Sequence, residues 1–166
     1  MNKEDLKKKI LEAQKESDIA ALYVLENQAH QLFDEETLHA YYANILDLAL
    51  EKLTDTLEAH RTMDMNEVQD FATLRALYEY AMEHYSVGKN NDAAALFEVL
   101  SGLSNDKKFS DAMKLHQGAA SENLSLDDFL DKIANLQETE EAGTFYVSRF
   151  SKEAQHLLET NKQSRG

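Results

Sequence analysis

The chain has no proline, no cysteine and no tryptophan, and only five glycines in 166 residues. Proline removes a backbone donor and clashes with the preceding helical turn, and glycine in a helix interior costs about 1 kcal/mol relative to alanine. A chain nearly free of both can be helix almost from end to end. The absence of cysteine excludes disulfides, thiolate metal sites and thiol nucleophiles. Long apolar runs are also missing. The longest is Ile19 to Leu25, far below the roughly 20 residues of a membrane span. Met1 is followed by Asn2, Lys3, Glu4 and Asp5, which is not the start of a secretory leader. A cytoplasmic location is expected.

What is abundant is acid. The net charge is −14, a surface that repels phosphate backbones and anionic headgroups, so neither nucleic acid nor membrane is an expected partner. The charge is uneven. Residues 1–15 carry five lysines against three acids, whereas residues 34–60 and 121–141 each hold seven acids against one lysine. Such faces solvate helices and attract a basic partner segment.

Apolar residues recur at helical spacing throughout, and no strand-like alternation interrupts them. A first helix over 4–16 carries Leu6, Ile10 and Leu11. Ser17 and Asp18 suggest a cap, although the apolar phase also fits one helix running through them into a second over 19–33. Asp34 caps a long helix over 35–60, with Glu35 and Glu36 in its first turn. Asp64 and Glu67 have capping-box spacing before a helix that Gly88 stops. Further helices are expected from Asn91 to Leu103 (Ser101 and Gly102 are an earlier stopping point), from Phe109 to Gly118, and from a Ser125 cap to Leu136. An acidic turn over 138–143 and a last helix holding Phe145, Tyr146, Phe150, Leu157 and Leu158 complete the chain. The organisation read from this is all-α: one domain over 1–160, an antiparallel bundle or short right-handed array of seven or eight helices, and a frayed tail over 161–166.

Residues 74–105 carry Leu77, Ala81, Gly88, Ala93 and Phe97 in a helix–turn–helix frame. This segment resembles a single tetratricopeptide repeat, whose small residues let two antiparallel helices cross closely. Leu100 and Asn105 depart from the repeat pattern, and it does not recur at 34 residues. The segment is also similar to the small acidic chaperones of bacterial type III and flagellar secretion. That resemblance implies a concave groove for an extended client segment, lined by the first helix of the repeat. The positions facing it would be Arg75, Tyr78, Met82 and Tyr85. Aromatic and methionine side chains suit varied apolar anchors, and the same side chains at the same spacing also suit an ordinary core.

Catalytic signals are sparse. There is no glycine-rich phosphate loop and no nucleophile elbow. Glu36 with His39 and Glu153 with His156 have the Glu-x-x-His spacing used by di-iron bundles, where glutamates such as Glu51, Glu83 or Glu98 would complete the set. With 31 acids and six histidines, such pairs also arise by chance. No cofactor is called for and no enzyme is indicated. The function expected is that of a protein-binding helical module, an adaptor or chaperone holding a protein or peptide client. A di-metal carboxylate bundle and a self-assembling helical homodimer are the alternatives.

Overall fold

The computed structural model describes residues 1–154, and all of their regular structure is helical. The elements are α1 (Lys3–Lys15), α2 (Ile19–Val24), α3 (Glu26–Leu32), α4 (Glu35–Glu58), α5 (Val68–Ser86), α6 (Asn90–Leu103), α7 (Lys107–Ser121), α8 (Leu126–Asp128) running into a π-helical turn (Phe129–Ile133), and α9 (Leu136–Ala142). Among the described residues no helix is long and apolar enough to cross a membrane. The chain divides into two compact units, Met1–Leu77 and Tyr78–Gly166. The boundary falls inside α5, where the sequence carries no linker to mark it.

In the first unit the starts of α1, α2 and α4 are fixed by side chains. Asn2, Asp18 and Asp34 accept the backbone N–H of Asp5, Ala21 and Thr37 at 2.8, 2.9 and 2.8 Å. Each satisfies a donor that the helix itself cannot pair. Leu6 and Ile10 of α1, Ile19 and Leu22 of α2 and Ile45 of α4 are buried. The expected helix over 19–33 breaks at Leu25, whose N–H tightens to the Leu22 carbonyl at 3.2 Å. Tyr41 of α4 donates its hydroxyl to the same carbonyl. The expected capping box does not form. Asp64 instead accepts the N–H of Asn66 at 2.8 Å, an Asx turn, and α5 begins only at Val68.

In the second unit the hairpin expected at Gly88 is present. Gly88 has φ +82°, and the N–H groups of Gly88 and Lys89 return to the carbonyls of Tyr85 and His84 at 3.2 and 3.0 Å, which is a Schellman closure. α6 runs to Leu103 as expected, past the alternative stop at Ser101 and Gly102. Other expectations are corrected. Gly118 does not end α7; it is buried within it, and the helix continues to Ser121. The stretch 138–143 is not a turn but most of α9, capped by Asn135 and closed by Gly143 at φ +70°. Residues 144–150 are not helical. Their backbone is claimed by the segment around the π-turn: Asn135 N–H donates to the Arg149 carbonyl and Ser151 N–H to the Ile133 carbonyl, both at 2.8 Å, and an isolated antiparallel bridge joins Ala134 to Phe150. Leu157, Leu158 and the tail lie outside the described residues.

Three further helix ends close in the same left-handed way without glycine. Ser17, His60 and Asn123 have φ of 53°, 54° and 67°. After each, the next residue's N–H reaches five residues back: Asp18 to Ala13 at 2.8 Å, Arg61 to Thr56 at 3.1 Å and Leu124 to Ala119 at 3.0 Å. This is how a glycine-poor chain still turns its corners.

Candidate functional site

The residues marked out by the sequence are mostly engaged within the chain. Arg75, in the first unit, donates from Nη2 to Glu26 at 3.0 Å, and its guanidinium lies 4.0 Å over the ring of Tyr23. Glu26 also accepts the Tyr42 hydroxyl at 2.5 Å, and Tyr42 in turn meets His30 Nε2 at 2.7 Å. Burial opposes the charge on Glu26, but the hydrogen bonds from Tyr42 and Arg75 outweigh it and hold the carboxyl below its ordinary value.

Tyr78 and Tyr85, in the second unit, are core residues, 4% and 1% exposed. Tyr78 Oη accepts the Val147 N–H at 3.1 Å and lies 2.9 Å from His116 Nε2. Its ring packs against Phe97, Phe145 and Tyr146. Tyr85 donates to the Leu124 carbonyl at 2.9 Å and meets Phe97 and Phe129. Burial pushes both hydroxyls above their ordinary pKa, with Asp128 adding to the effect at Tyr85. Only Met82 is half-exposed among these aromatic and methionine positions. Tyr78 and Tyr85 are therefore withdrawn from any client-facing groove. The i, i+3, i+4 spacing that suggested one is the spacing of a helix buried on that side.

His116 is fully buried. Its Nδ1 lies 2.6 Å from the Ala112 carbonyl, one turn back. The Ala112 carbonyl can only accept, so Nδ1–H donates to it; in the neutral imidazole Nε2 is then the acceptor, and the Tyr78 hydroxyl donates to it. The histidine is thus a neutral relay member. Burial pulls its pKa down to about 4, against the opposing pull of the Ala112 bond.

The metal reading gains nothing. Glu36, His39, Glu51, Glu83, Glu98 and Glu153 are exposed, and His156 lies outside the described residues. Among the described residues no three His, Asp or Glu side chains gather so as to hold a metal ion.

An open apolar groove does exist in the first unit, and none of the marked residues lines it. It is lined by Lys7, Ile10, Leu11 and Gln14 on one face of α1, by Phe33, and by Thr37, Ala40 and Tyr41 at the start of α4, and encloses about 290 Å³. Leu11 at its lip is 56% exposed. Lys7 is the single charged lining residue. Asp34 stands at the same end, its carboxyl held below the ordinary range first by the Thr37 N–H and further by Lys3 and Lys7. The sequence signal for this groove was Leu11 itself, which sits beside Ile10 and shares one helix face with Lys7 and Gln14. No protein-family model matches the chain, and no curated protein or solved structure matches it.

Proposed function

We propose that the chain is a protein-binding helical module, an adaptor or a secretion-type chaperone, and that it holds a client segment in the α1–α4 groove rather than along α5. The observation that carries this is the exposed Leu11 over an apolar floor of Ile10, Phe33 and Tyr41. A side chain with that much apolar surface in water gains from being covered, at about 25 cal/mol per Å². A client suited to the groove presents two or three apolar side chains and a carboxylate opposite Lys7. The basic client expected from the acidic surface would suit the outer faces of α4 and α9 but not this groove.

The test is site-specific photo-crosslinking in lysate of the source cells, with benzoylphenylalanine at position 11 and, as control, at position 24. Val24 is 77% exposed and is not among the groove's lining residues. A distinct client captured at 11 only, and lost on Lys7→Glu, is expected. Equal capture at both positions, no capture, or capture of a second copy of the chain alone overturns the proposal.

A further inference from the structure

The second unit contains a larger cavity, of about 510 Å³, within the roughly 300–1,000 Å³ of small-molecule pockets. One wall is a face of α7, with Lys108, Asp111, Ala112 and Leu115 at helical spacing. Glu138 and Ala142 of α9 form the second wall, and Tyr146, Arg149 and Phe150 belong to the third. Ala112, Leu115 and Tyr146 are buried and give an apolar floor.

The third wall has no helix of its own, but it is fixed by hydrogen bonds. Thr139 Oγ1 accepts the N–H of Ser148 at 3.3 Å and of Arg149 at 3.1 Å. The Ser151 hydroxyl donates to the Lys132 carbonyl at 2.6 Å, and Val147 N–H is held by Tyr78 Oη. A wall tied this way is formed before any ligand arrives, which lowers the ordering cost of binding.

The charges at this cavity are two cations, Lys108 and Arg149, and two anions, Asp111 and Glu138. Among the described residues none of the four is in an ion pair. A ligand with one charge meets as much repulsion as attraction at such a rim. A ligand carrying both signs on an apolar body meets a partner for each. We infer that this cavity binds a small apolar zwitterion of the amino-acid or dipeptide class, its side chains on Leu115 and Tyr146, its carboxylate toward Arg149 or Lys108 and its ammonium toward Asp111 or Glu138.

The test is an NMR titration of the full chain with L-leucyl-L-leucine. The N-acetylated peptide, which lacks the ammonium, and the C-terminal amide, which lacks the carboxylate, serve as single-charge controls. Shift changes confined to 108–115 and 138–151 are expected, with each control at least about tenfold weaker. Asp111→Asn combined with Glu138→Gln removes the penalty for acetylation, and Ala142→Trp, at an exposed lining position, abolishes binding with the helical circular dichroism signal retained. Should Ala142→Trp not fold, Arg149→Gln at an exposed side chain takes its place and weakens binding about tenfold. Absence of shifts up to about 10 mM peptide, equal binding of the capped forms, or shifts centred elsewhere overturns the inference.

Discussion

Replacing Tyr78 with phenylalanine removes one oxygen from the middle of a buried relay. The ring and its contacts with Phe97 and Tyr146 stay, so little packing is lost. Two polar groups lose their partner: the Val147 N–H and His116 Nε2. An orphaned buried donor or acceptor costs roughly 1–3 kcal/mol, so Tyr78→Phe is expected to cost about 2–6 kcal/mol. At this chain length that corresponds to a fall in Tm of about 4–24 °C. Urea unfolding followed by circular dichroism measures the loss, and hydrogen exchange at the Val147 amide locates it. In the double variant with His116→Leu the two costs overlap, giving a coupling of about 1–3 kcal/mol.

The same relay sets an acid dependence. His116 has a folded pKa of about 4 against 6.5, so between those values the unfolded chain binds the proton and the folded chain does not. Its contribution is complete above pH 6.5 and is lost as pH falls through 4, up to about 3 kcal/mol. His116→Leu should flatten that part of the stability curve. A cost for Tyr78→Phe below about 1 kcal/mol, unchanged protection at Val147, or additive single effects would refute the relay.

Two further outcomes are expected. Ser17→Gly relieves a left-handed backbone that glycine adopts freely, and should raise stability by about 0.5–1 kcal/mol; a lower urea midpoint would contradict the Schellman closure at that corner. Arg75→Met leaves the half-buried Glu26 carboxylate without its cation and should cost about 1–2 kcal/mol. Because Glu26 titrates below its ordinary value, the lost stability is the part present above pH 4.5 that disappears as pH falls through the folded pKa, so the variant's pH profile over that range should be flatter. A profile parallel to the parent's would show that Tyr42 alone holds the charge.

The helices with a strong start or stop residue were legible in sequence. Asp34 and Ser125 cap as read, and Gly88 turns the α5–α6 hairpin. Gly118 misled, because a glycine inside α7 looks locally the same as one at its end. Residues 145–150 misled for a different reason. Phe145, Tyr146 and Phe150 have helical spacing, but the backbone beside Phe150, at Arg149 and Ser151, pairs with Asn135 and Ile133, partners set by the fold. The site suffered most. Spacing identifies a buried face of α5 and cannot say whether a client or the chain itself covers it, and for Tyr78 and Tyr85 it is the chain. Spacing puts Leu11 on one apolar face with Leu6 and Ile10, yet the fold buries those two and leaves Leu11 uncovered.

The corner at Ser17 carries a consequence for how substitutions combine in this chain. The apolar phase also fits a straight rod from Lys3 to Val24, but Ser17 closes α1 and Asp18 caps α2. The bend is fastened from fifty residues away, where Gln69 clamps both ends of the α2 start, donating to the Asp18 carboxylate at 2.6 Å and accepting the Ala20 N–H at 3.2 Å. The corner is therefore held in part from α5, and a change at position 69 removes two hydrogen bonds at the start of α2.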